Sequence, residues 1–416
     1  MSDSVDVAVI GGGVVGVASA AFLAERGARV VLLERGEICS GASYGNAGWI
    51  SPSHGTPLPS PGVVRQALRW LLDADSPFYV KPRFDLELAL WLLEFLRASS
   101  AARARSTLRA NRELILASLA LYEKLAAEPG SDFGFARRVL VVACESPDGM
   151  EHARAELDAL AELGGGGREL GNAELRALVP QLSPELRGGI YFPADAHLDP
   201  ERLVQALARR AAANGAALWT RQEVLELELR GRRIERIVAT RGELRAAEVV
   251  LAAGAWSPQL GAQLGLRLPV QAAKGYSVTV RRPADFGEHP VLLSEAKVAL
   301  TPLGDALRFA GTLELAGLDL RVNARRVAAI LRAVERFLPG LAAGPRIETW
   351  RGLRPLTPDD RPIIGRPRAF ENLVVATGHG MSGISQAPMT AQLVAEICRG
   401  EAPGLPLGPF SPDRFG

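Results

Sequence analysis

Val5-Asp6-Val7-Ala8-Val9-Ile10 runs straight into Gly11-Gly12-Gly13-Val14-Val15-Gly16, and Glu34 closes the next apolar run at 28–33. The order predicts a strand, a glycine turn, an apolar helix over 17–23 and a second strand with an acidic end. Gly11 permits the tight turn, Gly13 lets the backbone approach a pyrophosphate, and Gly16 lets the helix sit close on the strand. The helix N-terminus then offers unpaired N–H groups and a positive dipole end to phosphates. Glu34 is placed to accept hydrogen bonds from ribose hydroxyls, and its charge repels a 2′-phosphate. NADP is therefore disfavoured, and the choice lies between NAD and FAD. An ordinary glycine-rich turn is the competing reading. It does not explain why strand, turn, helix and acidic residue agree.

The chain has 416 residues, enough for two or three domains with a substantial core. Its 48 basic and 46 acidic side chains leave a net charge of +2, so charge points to neither nucleic acid nor an acidic partner. Cys39, Cys144 and Cys398 are far apart and odd in number. They suggest neither a disulfide framework nor a metal site, and they fit a reducing cytoplasm. The apolar stretch 6–24 has no basic leader and holds the glycine turn in its middle, so strand–turn–helix explains it better than a targeting segment. No other stretch reaches the roughly 18 apolar residues of a membrane span.

Residues 39–62 are rich in Gly, Ser, Pro and Asn and read as an ordered loop leaving the nucleotide unit. Residues 63–128 are helical by period, with 101–127 as one long helix. Its Arg103, Arg105, Arg109 and Arg112 read as a solvated face. Asp199-Pro200 starts a helix that Asn214-Gly215 ends. Strands follow at 217–229, 233–240 and 248–253, the last entering the turn Gly254-Ala255-Trp256-Ser257. Residues 270–315 alternate as an antiparallel sheet with one wet face would, and 322–338 is a helix. A short strand at 373–376 then enters Thr377-Gly378-His379-Gly380-Met381-Ser382-Gly383, with a helix continuing through 397.

Both ends of the chain thus carry a strand, a glycine turn and a helix. A simple nicotinamide dehydrogenase needs only the first. A flavin site can use both, one helix N-terminus for the pyrophosphate and another for the negative charge of a reduced isoalloxazine. This repetition favours FAD.

Several ordered motifs then resemble the D-amino acid oxidase-type FAD oxidoreductases, most of all the bacterial D-amino acid dehydrogenases of small-subunit type. They are the turn at 11–16, Ser43-Tyr44-Gly45-Asn46-Ala47-Gly48 with Ile50-Ser51-Pro52, Lys274-Gly275-Tyr276-Ser277, and the run 308–314. Gly352-Leu353-Arg354-Pro355, Thr357-Pro358-Asp359, Pro362-Ile363-Ile364-Gly365 and Gly378-His379-Gly380 complete them. The resemblance spans nearly the whole chain. It implies an α/β and α+β architecture: a Rossmann-like, glutathione-reductase-type FAD domain interleaved with a substrate domain of antiparallel sheet and helices. The expected division gives 1–62, 145–268 and 340–416 to the FAD domain, and 63–144 and 269–339 to the substrate domain.

The resemblance also implies oxidative deamination of D-amino acids to 2-oxo acids and ammonia, with hydride passing from Cα to flavin N5 and electrons going to a quinone or other acceptor. It assigns FAD contacts to Gly11, Gly13, Val14, Val15, Gly16, Glu34, Arg35, Ser43, Asn46, Ala47 and Gly48. Further contacts fall to Val224, Ala253, Gly254, Trp256, Gly352, Gly378, Gly380, Met381, Ser382, Gly383 and Ile384. Arg354 is implied to grip the substrate carboxylate, a role suited to a planar guanidinium. A domain-interface salt bridge is its competing reading, since Arg351, Asp359 and Arg361 are close in sequence. The Met381 carbonyl is implied to accept from the substrate amine. Tyr276 and Lys274 are pocket candidates, with a plain structural contact equally open for Lys274. His379, pinched between glycines, reads as structural rather than as a base.

No cysteine or histidine occupies the family's covalent attachment positions, so FAD is expected to be non-covalent. The stretch 298–300 lacks the tyrosine of the glycine oxidases, which argues against glycine or sarcosine as preferred substrate. A D-hydroxyproline dehydrogenase and an oxygen-using amine oxidase are the alternatives. Quinone-reducing relatives lie on the inner face of the membrane. Leu68-Arg69-Trp70-Leu71-Leu72 and Trp91-Leu92-Leu93 have the content for shallow contact, with core packing or active-site cover as the competing reading.

Overall fold

The structure, a computed structural model, describes residues 4–53, 56–63, 67 and 76–415. The opening strand, Ser4–Ile10, lies between Val30–Leu33 and Gly242–Leu251 and runs parallel to both. Ala217–Trp219 extends the parallel order past Val30–Leu33, and Leu373–Thr377 extends it past Gly242–Leu251. Antiparallel strands Arg233–Ala239, Val224–Arg230 and Ile363–Gly365 complete an eight-stranded sheet.

The central parallel strands are buried on both faces at 7–10, 30–33 and 373–377, which is why these stretches read as nearly continuous apolar runs. Val7 and Val9 point to one side, where helices Val14–Glu25, Pro200–Ala213 and Gly383–Cys398 pack in one core. Ala8 and Ile10 point to the other, against Leu227, Ile237, Leu260 and Leu264. The first helix is buried at every position from 14 to 24, as a helix apolar all round must be. A Cβ on Gly16 would lie 2.0 Å from the Gly11 carbonyl oxygen, so this helix can sit on its strand only with glycine there. The helix expected to start at Asp199-Pro200 and end at Asn214-Gly215 also falls where predicted. Asp199 caps Pro200–Ala213 through the N–H groups of Glu201 and Arg202, and Asn214 follows its end.

A nine-stranded sheet forms the second layer. Arg346–Leu356, Gln271–Arg281, Ala306–Leu315 and Val298–Leu303 are successive antiparallel neighbours at one end. Val291–Leu293, Leu140–Cys144, Gly188–Phe192 and Arg168–Gly171 continue it, and Phe78–Val80 pairs with Ala306–Leu315. The strands Arg168–Gly171, Gly188–Phe192 and Arg346–Leu356 therefore join this sheet and not the first. The expected cuts at 145 and 340 do not coincide with sheet membership.

Three sequence expectations need correction. Residues 270–315 do alternate, but Gln271–Arg281 is buried from 272 to 280. Tyr276, Val278 and Val280 face helix Ala324–Phe337, while the opposite face is covered by the 43–48 loop rather than by water. The run 217–229 is two strands, because 217–219 pairs with Val30–Leu33 and Val224–Arg230 forms a hairpin with Arg233–Ala239. Within 63–128, the strand Phe78–Val80 precedes helices Leu86–Ala98 and Ala101–Ala127, since its residues pair with Leu313–Leu315. Leu68 to Leu72 lie outside the described residues. Trp91 is 3% exposed and donates to the Leu356 carbonyl, so it belongs to the core and not to a surface.

Candidate active site

Both glycine turns and the strand Arg346–Leu356 open into one cleft of about 430 Å³. At one end it is shaped for a nucleotide. Gly11 has φ +117°, and a Cβ there would lie 2.4 Å from the Ala252 carbonyl oxygen. A Cβ on Gly12 would meet the Glu34 side chain, whose carboxylate accepts from the N–H groups of Gly12 (2.6 Å) and Gly36 (2.7 Å). Ser43 Oγ accepts from Val14 N at 2.9 Å, setting a hydroxyl at the positive end of the first helix. These bare backbones, the helix end and the acidic residue fit an elongated dinucleotide with free ribose hydroxyls. Arg35 stacks its guanidinium 3.7 Å over the Trp256 ring, and Ala253, Gly254 and Val224 continue the same wall. Ser257 Oγ donates to Thr377 Oγ1, which itself donates to the Gly254 carbonyl, so the two later turns are tied together.

Of the expected cofactor residues, Gly11, Gly13, Val14, Val15, Glu34, Arg35, Ser43, Asn46, Val224, Ala253, Gly254, Trp256, Gly352, Gly380, Gly383 and Ile384 line the cleft. Gly16, Ala47, Gly48, Gly378, Met381 and Ser382 are not on its wall. Gly48 (φ +77°) leaves no room for a Cβ beside the Leu198 carbonyl, and Gly378 (φ +75°) leaves none beside Thr357. The Met381 carbonyl accepts from Asn46 Nδ2 at 3.2 Å, joining the 43–48 loop to the second turn. That bond occupies one of its two lone pairs.

Arg354 lines the cleft, and its Nη1 donates to the Thr312 carbonyl at 2.7 Å. Burial pulls its guanidinium down to about 10. Among the described residues no carboxylate pairs with it. Asp359, the expected competitor, is engaged by Arg414 at 2.9 Å instead. Thr312 has φ +66° within a strand, a conformation that costs an L-residue roughly 1–2 kcal/mol and more when β-branched.

Lys274 and Tyr276 are not pocket residues. Successive strand residues face opposite sides, so Gly275 faces Arg354 while its neighbours point away. Lys274, 1% exposed, pairs with Glu314 at 3.3 Å, and Tyr276 donates to the same carboxylate at 2.9 Å. His379 is likewise structural: its Nε2 shares a 3.0 Å hydrogen bond with Thr390 Oγ1, and burial depresses it to about 3.

Arg308 was not among the expected site residues. It is 6% exposed, and its Nη1 donates to the carbonyls of Tyr44 (2.8 Å) and Asn46 (3.0 Å), holding the loop over the sheet. An arginine next to Leu307 and Phe309 in a buried strand was the available signal. Trp350 wedges between Gly45 and Gly352; a Cβ on either would meet its indole at 2.0 or 2.1 Å. No sequence pattern announces that contact.

The family model for FAD dependent oxidoreductases (DAO) matches residues 6–397. The chain is 37% identical to a D-amino acid dehydrogenase of Paramagnetospirillum magneticum, over 98% of each. It is 35% identical to a D-amino-acid oxidase of Bradyrhizobium diazoefficiens, over 100% of each. Among solved structures, glycine oxidase from Geobacillus kaustophilus superposes with a TM-score of 0.80 at 28% identity, over 99% of both chains. The double-glycine-turn cleft and these full-length matches agree, and the chain belongs to the DAO family of FAD-dependent oxidoreductases.

Proposed function

We propose that the enzyme deaminates D-amino acids oxidatively, yielding 2-oxo acids and ammonia, with FAD held non-covalently. The observation that carries this reading is Arg354, a half-buried guanidinium on the cleft wall with no carboxylate partner among the described residues. A cation held partly out of water gains from an anion that joins it, and a carboxylate matches its two-pronged donor geometry. The names of the relatives, D-amino acid dehydrogenase and D-amino-acid oxidase, point to the same substrate class. That none of the three cysteines lines the cleft supports a non-covalent cofactor.

Bound FAD supplies the two-electron acceptor. The chain supplies position. Arg354 holds the carboxylate, and the free lone pair of the Met381 carbonyl is the proposed acceptor for the substrate amine. Among the described residues, the titratable groups on the cleft wall are Glu34, Arg35, Glu223, Arg351, Arg354 and His379. Glu34 is bound to the nucleotide turn, Glu223 adjoins Val224 on the nucleotide wall and His379 is neutral, so no side-chain base is assigned to Cα. Orientation of a neutral-amine substrate then carries the rate.

A quinone-type acceptor and shallow membrane contact belong to the same proposal. Phe84, Leu86, Leu90, Leu93 and Leu96 present an exposed apolar face on and just before helix Leu86–Ala98, which supports contact. No helix of the described residues is long and apolar enough to cross a membrane.

Anaerobic flavin bleaching by a panel of D- and L-amino acids, glycine and hydroxyprolines tests the reaction. Bleaching by acyclic D-amino acids is expected; bleaching confined to L-isomers, glycine or hydroxyproline overturns it. Arg354→Leu should raise KM at least about 100-fold while retaining flavin, the loss of a charged hydrogen-bonded contact. Dye or quinone reduction without peroxide release separates the dehydrogenase from an oxidase.

A further inference from the structure

The strand Ala306–Leu315 breaks its ladder at one place. Lys274 pairs with Glu314 and Tyr276 with Gly311, so Gly275 alone opposes both Thr312 and Leu313. This is a β-bulge, which bends a strand and re-aims its groups. Thr312, at its centre, is the β-branched residue of positive φ in the described chain. Its carbonyl leaves the ladder and accepts from Arg354 Nη1 at 2.7 Å. Across from it, Gly275 gives the guanidinium its room: a Cβ there would lie 2.1 Å from Nη1.

The reverse face holds the bulge in register. Glu314, 4% exposed, pairs with Lys274 and accepts from the Tyr276 hydroxyl. Lys274 Nζ also donates to the Arg321 carbonyl, and Asn323 N donates to the Tyr276 oxygen. Every member of this buried group has a partner, so the shifted pairing is specified by polar contacts and not by apolar packing alone.

We infer that the Thr312 bulge, pinned from behind by Lys274, Glu314 and Tyr276, is a positioning device that fixes the Arg354 guanidinium for the substrate carboxylate. The left-handed backbone at Thr312 turns one carbonyl onto Nη1, at a cost in strain that the polar contacts behind it sustain. The remaining donors of the guanidinium are thereby presented to the cleft in a single orientation. Lys274 and Tyr276 act through Arg354 and touch no substrate. The inference rests on Arg354 as the carboxylate anchor.

The test compares Tyr276→Phe, Thr312→Pro and Thr312→Gly in the FAD-loaded enzyme, using D-alanine as substrate and pyruvate as a carboxylate inhibitor. Proline fixes φ near −65°, so it cannot hold the bulge, whereas glycine adopts the same positive φ freely. Tyr276→Phe and Thr312→Pro are expected to raise KM and the pyruvate Ki together by about tenfold, with kcat within about twofold and flavin content unchanged. Thr312→Gly should keep KM within about twofold, because the carbonyl and not the side chain meets Arg354. Should the proline variant yield no flavoprotein, the other two decide. A Tyr276→Phe enzyme of lower thermal stability but unchanged KM and Ki overturns the inference, as does a Thr312→Gly KM raised as far as that of Tyr276→Phe. Arg354→Leu measured alongside separates the two readings. If it leaves KM unchanged the anchor itself falls, and if it alone raises KM only the positioning device falls.

Discussion

Gly275 lies directly under the Arg354 guanidinium, close enough that a Cβ would sit 2.1 Å from Nη1. The residue between Lys274 and Tyr276 is therefore the one that touches the site, and its lack of a side chain is what the site uses. Gly275→Ala should push the guanidinium off its place and raise KM for D-amino acids at least about tenfold. Steady-state kinetics on flavin-replete protein checks this. An unchanged KM would show that the guanidinium tolerates displacement.

Arg308 ties the 43–48 loop to the second sheet through the Tyr44 and Asn46 carbonyls, and burial lowers its pKa. Arg308→Met keeps the volume but leaves those two carbonyls without their donor. Losing charge-assisted bonds of this kind costs about 1.5–3 kcal/mol each at most. Weaker FAD retention on dilution and a lower melting temperature are expected, with calorimetry and released-flavin fluorescence as the measurements.

His379 is depressed to about 3 by burial, below its ordinary value of 6.5. The unfolded chain therefore binds the proton first, and this contribution to stability is lost as pH falls below about 6.5. His379→Asn should flatten the acid limb of the melting-temperature profile between pH 6.5 and 4. It should leave the pH dependence of kcat/KM in place, since a group neutral throughout the working range contributes no titration to it.

Asp360 works in the opposite direction. Burial pushes its carboxyl up to about 7; Asp359 adds to the shift, and the Leu58 N–H bonded to Oδ2 opposes it. The folded state then binds the proton more tightly, so stability falls as pH rises from about 4 through 7. Asp360→Asn keeps an acceptor for Leu58 and tolerates the φ of +57°. Its melting temperature at pH 8 should exceed that of the parent by roughly 2–4 °C, and the excess should vanish near pH 4. An excess independent of pH would assign the effect to something other than this carboxyl.

Much of the nucleotide half was readable along the chain, because its signals are local. Gly11, Gly13, Gly16 and Glu34 lie within one strand–turn–helix–strand unit, and backbone sterics dictate glycine at 11 and 16. The second turn at 378–383 was readable for the same reason, as were the caps at Asp199 and Asn214. Arg354 stood out as an arginine between Gly352 and Pro355, but what lies opposite it did not. Whether Lys274 and Tyr276 or Gly275 faces the cleft depends on strand phase, and a shift of one residue exchanges the two faces. The bulge at Thr312, the Asn46 bond to the Met381 carbonyl and the reach of Arg308 to the loop join segments far apart in sequence. Local propensity carries no information about such pairings; packing of the two sheets decides them.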